Sequence, residues 1–354
     1  MAAMATMESV LVTGAAGFVA SHFARRILQV PGVKTVVGVD KLSTTSSQNN
    51  LVELQKQERF VFVQGDVLSE GFVGLLCEAY EVDTVVHFAA QTVCDEDMAH
   101  SPDFTLNNVL GTHVVLESLR MFGKIKRYLY ISTDEVHGKK IKMCEGKDED
   151  EQLLLEPPNP YSAAKVGAEL MSKVYATAYG LPVIVVRLTN VYGPCEFPFR
   201  AIPKFIMLAL HGKPLPIHGD GSATRSFIYI DDVVDGLCTI LEKGSVQETY
   251  VLGPSCQKKM VDVANDILEA IGDAAQGARP VFVERRPFVE ERHFVLDEKL
   301  RSLGWDEKVT WEEGLRETIY WYKEYGATWW NVPAERSSAS ALLGLHASLK
   351  RYAD

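Results

Sequence analysis

Two groups of side chains in this sequence have the chemistry to move protons and a hydride. The first is Thr133-Asp134-Glu135, which follows the apolar run 128–131, as polar residues follow a buried parallel strand. The second is Tyr161 and Lys165, which are four residues apart and so share one face of a helix. A lysine beside a tyrosine hydroxyl favours the phenolate, a usable base near neutral pH. Together these side chains predict acid–base chemistry coupled to hydride transfer.

Each group also has a simpler interpretation. A tyrosine and a lysine at this spacing occur by chance in many helices. Thr133 could be the N-cap of a helix, with Asp134 and Glu135 as acidic residues of its first turn. The catalytic interpretation is favoured because both groups follow, in this order, a dinucleotide-binding signal near the N-terminus.

That signal is a glycine-rich turn between a predicted strand at residues 10–13 and a helix running to about residue 28. Gly14 and Gly17, in the spacing G-x-x-G-x-x-A, let the backbone turn tightly and approach a pyrophosphate. The N-terminus of the following helix attracts the same anion. The turn therefore predicts a dinucleotide site.

Asp40 ends the second predicted strand, residues 35–40. A carboxylate there can accept hydrogen bonds from the ribose hydroxyls of adenosine and repels a 2′-phosphate, so it favours NAD over NADP. The neighbouring Lys41 complicates this preference, and Asp40 could instead simply open a loop. Asp66 follows the third strand and could meet the adenine amino group, and the small pair Ala89-Ala90 suits close passage past a cofactor.

Strands and helices alternate through the first half of the chain, which predicts a parallel, doubly wound sheet of the Rossmann type, an α/β fold. Further predicted elements are strands at 60–64, 84–90, 128–131 and 181–187 and a helix at 103–121. His87 has a predicted structural role in its apolar strand, and Asn108 a buried hydrogen-bonding role. Residues 139–156 are charged and poorly periodic, and predict an exposed loop.

The domain organisation follows from a change in pattern near residue 190, where segments shorten and glycine and proline become frequent. We predict a Rossmann NAD-binding domain at 8–189 that carries the tyrosine–lysine helix. A smaller C-terminal α/β substrate lobe is predicted at 190–330, with a possible return of the chain to the main sheet. The tail 331–354 has no clear role.

Composition excludes several classes of protein. The 354-residue chain has a formal net charge of −11 and no evident basic face, which argues against nucleic-acid binding. Its six cysteines lack metal or redox spacing, so no metal site is predicted and reduced thiols in the cytoplasm are expected. No apolar run approaches the roughly 20 residues that span a bilayer, and residues 1–9 are too short for a signal peptide.

These motifs resemble the extended short-chain dehydrogenase/reductase family. Within it, Ser132 to Val136 is similar to the nucleotide-sugar 4,6-dehydratases. Residues 212–222, 286–288 and 300–305 resemble the UDP-glucose 4,6-dehydratase module of plant-type rhamnose synthases. Met260 stands where dTDP-glucose enzymes usually carry asparagine, which also favours UDP. The resemblance implies a lyase that converts UDP-glucose into UDP-4-keto-6-deoxyglucose and water.

The resemblance also implies a role for each candidate catalytic residue. Tyr161, as phenolate, removes the proton of the 4-hydroxyl, and NAD takes the hydride from carbon 4 and later returns it to carbon 6. Thr133 hydrogen-bonds the 4-oxygen, and Lys165 lowers the pKa of Tyr161 and holds the nicotinamide ribose. Glu135 removes the proton on carbon 5, and Asp134 protonates the leaving 6-hydroxyl. NAD should stay bound, because the cycle is redox-neutral.

Two sets of binding positions complete the predicted site. The positions predicted to contact NAD are Gly14, Ala16, Gly17, Phe18, Val19, Asp40, Lys41, Asp66, Val67, Phe88, Ala89, Ala90, Asn108, Tyr161 and Lys165. The positions predicted to contact the nucleotide sugar are Gln91, Thr133, Asn190, Arg200, Lys204, Arg225, Arg286 and Arg292. Basic residues in a net acidic chain suit a diphosphate. By resemblance, a homodimer should form through the helices near 108–121 and 162–179.

Several positions depart from the family pattern. These are Val93 and Cys94, His137 in place of a tyrosine, Phe199 and Arg200 in place of Glu-Lys, and Val251 in place of an asparagine. The five catalytic residues are kept, so activity is expected. The departures leave other possibilities open: dTDP-glucose as the substrate, a 4-epimerase, or a non-catalytic protein that binds NAD and nucleotide sugars.

Overall fold

The computed structural model describes residues 7–92, 101–138, 155–254, 257–284 and 298–330. The strands are β1 (Ser9–Thr13), β2 (Thr35–Asp40), β3 (Phe60–Gln64), β4 (Thr84–His87), β5 (Arg127–Thr133), β6 (Val183–Leu188), β7 (Asn190–Tyr192), β8 (Leu215–His218), β9 (Thr224–Tyr229), β10 (Thr249–Leu252), β11 (Gln257–Lys259) and β12 (Pro280–Val283). The α-helices are α1 (Phe18–Ile27), α2 (Phe72–Ala79), α3 (Pro102–Phe104), α4 (Gly111–Phe122), α5 (Pro160–Tyr179), α6 (Ala201–Leu210), α7 (Ile230–Lys243), α8 (Met260–Ile271), α9 (Glu298–Ser302) and α10 (Trp311–Tyr325).

Seven parallel strands form the main sheet, in the order β3-β2-β1-β4-β5-β6-β10. The chain builds outward from β1 to β3 and then crosses over to β4, so the strand order reverses between β1 and β4. In open α/β sheets, ligands bind in the crevice at the carboxyl ends of the strands beside such a reversal. The predicted doubly wound Rossmann-type sheet is confirmed.

Alternate residues of the strands fill two cores, one on each face of the sheet, because successive side chains point to opposite faces. On one face, Val10 and Val12 belong to the core that contains residues of α1 and α7. On the other, Leu11 belongs to the core built with α2, α4 and α5. Both faces are therefore covered, as the continuous apolar runs of the strands require.

Two elements differ from the sequence-based expectation. β4 ends at His87 rather than at residue 90, and residues 88–90 leave the sheet to line the cleft described below. The helix expected at 103–121 contains a π-helical segment, Thr105–Leu110, between α3 and α4. Such segments are frequent at functional sites, and this one carries Asn108.

The C-terminal half is only partly separate from the main sheet. A mixed sheet (β11-β9-β7) and a parallel pair (β12-β8) form its strands. β10, however, returns to pair with β6, and α7 packs on α1, where Arg26 Nε contacts Asp235 Oδ1 at 2.8 Å. The limits 8–189 and 190–330 stay a prediction. The tail and most of the loop at 139–156 lie outside the described residues.

No helix in the described part of the chain is both long and apolar enough to cross a membrane. Among the same residues, no three histidine, cysteine or acidic side chains are grouped so that they could hold a metal ion.

Candidate active site

The carboxyl ends of the parallel strands open into one cleft of about 1580 Å³, counting its open mouth. The predicted residues that line it are Gly14, Gly17, Phe18, Val19, Asp40, Lys41, Asp66, Val67, Phe88, Ala89, Ala90, Gln91, Thr133, Asp134, Glu135, Tyr161, Lys165, Asn190 and Arg200. The fold thus brings Thr133-Asp134-Glu135, the Tyr161–Lys165 pair and the glycine-rich turn together in one cleft.

The other candidate residues lie elsewhere. Ala16, Asn108, Lys204 and Arg225 are not part of the lining. Asn108 is buried and joins the backbone of Gln91 through two hydrogen bonds, of 2.7 and 3.0 Å, so it shapes the cleft wall from behind. Arg286, Arg292, Val93 and Cys94 lie outside the described residues.

Sequence reasoning missed several residues of the lining. These are Ala20, Val39, Ser43, Thr45, Ser46, Gly65, Thr92, Asn107, Ile131, Ser132, Leu188, Thr189, Val191, Glu196 and Phe197. The cluster of small hydroxyl residues at 43–46, directly after the acidic end of β2, was a signal that could have been used.

Gly14 makes the turn after β1 possible. Its φ of +71° lies in the left-handed region, and a Cβ on it would lie 2.9 Å from Ala89 N and 3.0 Å from Ala89 Cα. The turn leads to Gly17, the N-cap of α1, which has no side-chain cap. Backbone N–H groups at such an uncapped helix start bind anions well. The observed cradle fits the pyrophosphate of a dinucleotide.

Substituting Gly14 with alanine should therefore destabilise the protein and release a bound dinucleotide. The left-handed conformation costs about 1–2 kcal/mol for a residue with a Cβ, and overpacking against Ala89 adds about 1–3 kcal/mol. Gly71→Ala is a matched control, since Gly71 has φ +73° but open space around its Cβ position. Thermal unfolding and the cofactor content of purified protein measure both effects. Equal losses in the two variants would contradict the role of close packing.

Asp40 is fixed at the end of β2 by three protein donors. Its Oδ2 accepts from Ala16 N at 3.0 Å, and its Oδ1 accepts from Leu42 N at 2.7 Å and Ser46 Oγ at 3.0 Å. Burial raises the pKa of Asp40, and these hydrogen bonds oppose the rise. An oriented carboxylate at this position fits the ribose hydroxyls of an adenosine.

Lys41, the residue after Asp40, also lines the cleft. Its Nζ donates to Asn107 Oδ1 at 2.5 Å and to Asp66 Oδ2 at 3.3 Å. The ammonium is therefore engaged with an acid and an amide that also line the cleft. This pairing partly offsets the positive charge of Lys41, which is the charge that complicates the predicted preference for NAD over NADP.

Thr133 caps a short 3₁₀ turn, Asp134–His137, and also lines the cleft. Its Oγ1 accepts from Glu135 N at 3.2 Å and donates to Asp134 Oδ1 at 3.4 Å. The simpler interpretation of Thr133 as an N-cap is thus right. The cap does not exclude a catalytic role, because it fixes the turn from which Asp134 and Glu135 line the cleft.

Lys165 is buried one helical turn after Tyr161. Its Nζ donates to Ile131 O at 2.6 Å. Burial lowers the pKa of Lys165 to about 7, against the opposing charge of Glu169. Any anion formed nearby, such as a phenolate or a ligand oxygen, would stabilise the charged form of Lys165 and raise its pKa. Lys165 can therefore respond to charge that develops at Tyr161.

A buried network lies beneath these residues. Glu169 contacts Arg187 in a close pair and accepts from Lys173 at 2.8 Å and from Ser132 at 3.1 Å. His137 contacts Arg187 with its Nε2 at 2.8 Å. Since His137 is buried and absent from the cleft lining, it can support the site but does not form its surface. His87 is likewise buried between Thr13 and Thr112, consistent with its predicted structural role.

Glu196 is an acid in the cleft lining that the sequence reasoning missed. It is 5% exposed, and no donor among the described residues bonds its Oε2. Burial raises its pKa to about 8, with Arg200 opposing; Arg200 Nε lies 3.8 Å from Oε1. The preceding Cys195 has a φ of +67°, a strained value for a side chain of this kind. Glu196 is thus a buried acid of the cleft lining whose pKa is raised by burial, with the Arg200 guanidinium beside it.

Glu196→Gln should flatten the pH dependence of stability. The folded pKa of about 8 lies above the unfolded value, so the folded state holds an extra proton. That contribution is complete below the unfolded pKa and disappears as the pH rises through about 8. We expect the free energy of unfolding of the wild type to fall between pH 5 and pH 8.5 by a few kcal/mol more than that of the variant. Glu53→Gln, at an exposed site, is the control, and equal pH slopes in Glu196→Gln and wild type would contradict the prediction.

The chain is similar to known proteins in both sequence and fold. The model of the NAD dependent epimerase/dehydratase family matches residues 10–253. A trifunctional UDP-glucose 4,6-dehydratase/UDP-4-keto-6-deoxy-D-glucose 3,5-epimerase/UDP-4-keto-L-rhamnose-reductase of Arabidopsis thaliana is 47% identical over 91% of this chain and 48% of the relative. The chain spans about half the length of such relatives. The dTDP-D-glucose 4,6-dehydratase of Homo sapiens is 37% identical over 92% of this chain and 93% of the relative.

Among solved structures, the dTDP-glucose 4,6-dehydratase DesIV of Streptomyces venezuelae, with NAD and TYD bound, is similar to this chain. Its TM-score is 0.82 at 33% identity, covering 91% of this chain and 99% of that one. The similarity thus extends over nearly the whole of that chain.

Proposed function

The chain belongs to the NAD dependent epimerase/dehydratase family, and on that premise we propose that it is a nucleotide-sugar 4,6-dehydratase, a lyase. The proposed reaction converts UDP-glucose into UDP-4-keto-6-deoxyglucose and water. One observation carries the proposal: Asp134 and Glu135 line the same cleft as Tyr161 and Lys165. An epimerase needs to move only the proton and hydride at carbon 4, whereas elimination of water needs a further base and a further acid.

The glycine turn, the start of α1 and Asp40 fit NAD, with the pyrophosphate at the uncapped helix N-terminus and the ribose at the carboxylate. NAD, when bound, supplies an acceptor for the hydride of carbon 4 that can return it to carbon 6. Lys41, Asp66 and Ala89 line the same part of the cleft.

The side chains of the cleft divide the proton transfers among them. Tyr161 takes the proton of the 4-hydroxyl, and Lys165, whose pKa lies near neutrality, gains stability as the phenolate forms. Thr133 orients the 4-oxygen. The 4-ketone makes the proton on carbon 5 acidic, Glu135 accepts it, and Asp134 donates a proton to the leaving 6-hydroxyl.

The substrate end of the cleft is proposed to lie at Asn190 and Arg200, which line it. A guanidinium suits a diphosphate. Lys204, Arg225, Arg286 and Arg292 are proposed to contact the diphosphate and nucleotide. UDP is preferred because the relatives with UDP-glucose in their names are 45–47% identical to this chain, against 37% for the human dTDP-glucose enzyme.

The test incubates purified protein separately with UDP-glucose and dTDP-glucose, without added reductant. The 4-keto-6-deoxy product is followed by its absorbance in alkali and by the mass loss of one water. Product from UDP-glucose is the expected result. Product from dTDP-glucose alone would favour the second candidate, which the 93% coverage of the human dTDP-glucose enzyme supports. Turnover of neither, with NAD still bound, would favour a non-catalytic protein.

We further propose a homodimer that forms through α4 and α5. Their surfaces expose Met121 (71%), Leu170 (49%), Val174 (52%) and Tyr179 (57%), apolar groups that a partner helix pair could cover. The double variant Leu170→Glu/Val174→Glu should therefore be monomeric by light scattering, because charges in an apolar interface are not solvated. Val246→Glu, at an exposed apolar site elsewhere, is the control. A double variant that remains dimeric would contradict this interface.

A cytosolic site of action is also proposed. Cys77, Cys195 and Cys238 carry free thiols. Cysteines that form no disulfide are the usual state in a reducing compartment, which supports this proposal.

A further inference from the structure

Asn159 occupies the N-cap of α5, two residues before Tyr161. Its side-chain Oδ1 accepts from Ser162 N at 2.8 Å and from Ser162 Oγ at 3.1 Å, and Ser162 Oγ in turn accepts from Asn159 N at 3.3 Å. This reciprocal capping box fixes the start of the helix that carries Tyr161 and Lys165.

Capping alone does not require asparagine. Serine, threonine and aspartate cap helices about as well, because a cap needs only an acceptor oxygen. Asparagine differs from these residues in carrying an NH₂ donor as well. Here the Nδ2 of Asn159 donates to Glu135 Oε2 at 3.1 Å. The side-chain amide of Asn159 therefore accepts hydrogen bonds within α5 and donates one to the carboxylate of Glu135, which lines the cleft.

The bond from Asn159 to Glu135 connects the two groups of side chains that are proposed to catalyse the reaction. Glu135 stands on the turn after β5, whereas Tyr161 stands on α5. Asn159 is half-buried, so its bond to Glu135 is partly shielded from water. A hydrogen bond to a carboxylate is among the stronger neutral–charged contacts and favours the ionised form, which is the form that accepts a proton.

We propose that Asn159 is a positioning residue that holds Glu135 against the N-terminus of α5, so that the acceptors for the protons of carbon 5 and of the 4-hydroxyl keep a fixed separation. This proposal rests on the proposed function. It assigns to Asn159 no contact with substrate or cofactor. Its effect is confined to the second half of the reaction, in which the C5–H bond breaks, its electron pair moves toward the 4-ketone, and the proton passes to Glu135.

The test uses Asn159→Ser and Asn159→Asp. Both variants keep a capping acceptor and lose the NH₂ donor, and the aspartate also places a like charge beside Glu135. Ser162→Ala is the matched control, because it weakens the capping box but leaves the amide donor in place. Melting temperatures report any effect of the cap on folding, and two Asn159 variants guard against one that folds poorly.

The measured quantities are the exchange of the carbon-5 proton with deuterated solvent and the rate of water loss from UDP-glucose. We expect both rates to fall about tenfold to hundredfold in the two Asn159 variants, the effect of losing one hydrogen bond to a charged group, and to stay within about threefold of wild type in Ser162→Ala. With substrate deuterated at carbon 5, the isotope effect on dehydration should rise in the Asn159 variants, which a purely structural role would not cause.

Two results would overturn the proposal. Asn159→Ser with wild-type carbon-5 exchange, in protein that dehydrates UDP-glucose, would show that Glu135 needs no such support while leaving the proposed function intact. Wild-type protein that dehydrates no nucleotide sugar would remove the proposed function, and this proposal with it.

Discussion

Replacing Tyr161 with phenylalanine is expected to lower the rate of dehydration by about 10²–10⁴, the usual contribution of general acid–base catalysis. The variant lacks the hydroxyl that removes the first proton, and the proton transfers proposed for Glu135 and Asp134 follow only after that step. The phenyl ring can keep its edge-to-face contact with Phe104, 6.0 Å between ring centroids, so the local packing should survive. Substrate affinity should change by only a few-fold.

Product formation from UDP-glucose and carbon-5 exchange measure this effect together. Both should be lost in Tyr161→Phe, because no ketone forms to acidify carbon 5. Tyr320→Phe, which removes a hydroxyl from an exposed tyrosine on α10, should keep wild-type rates. If Tyr161→Phe retained more than about a tenth of the activity, another group would have to be the first base.

The predicted residues that the structure brings into one cleft share one physical property. Gly14, Asp40 and Thr133 each lie at the carboxyl end of a parallel strand, and the topology of a doubly wound sheet brings all such ends together. Their convergence therefore follows from strand order alone. It needs no knowledge of individual side-chain contacts.

The residues that were missed depend on tertiary contacts that leave no local pattern. Glu196 looks like an ordinary loop acid, and only the packing around it makes it a buried group in the cleft. The bond from Asn159 to Glu135 joins two positions that are 24 residues apart in the sequence. Likewise, β4 ends at His87, and the backbone of Ala89 then passes close to Gly14. Sequence periodicity carries no information on such contacts.

Replacing Glu135 with glutamine should separate the two halves of the reaction. Glutamine has nearly the same shape but cannot accept the carbon-5 proton, so exchange at carbon 5 and loss of water should fall by about 10²–10⁴. Oxidation at carbon 4 uses Tyr161 and should continue. Enzyme quenched with borodeuteride should therefore yield hexose labelled at carbon 4, from a trapped 4-ketone that still carries its 6-hydroxyl.

Asp134→Asn is the matched partner of this variant, because its predicted defect is one step later. The amide cannot protonate the leaving 6-hydroxyl, whereas Glu135 remains able to take the carbon-5 proton. Exchange at carbon 5 should thus continue in Asp134→Asn while water loss slows, the reverse of the exchange result for Glu135→Gln. If both variants lost exchange equally, the two adjacent carboxylates would act as one unit with a shared proton. If Glu135→Gln kept full turnover, the second carboxylate would have no part in the chemistry, and the cleft would need only the tyrosine and lysine that a 4-epimerase uses.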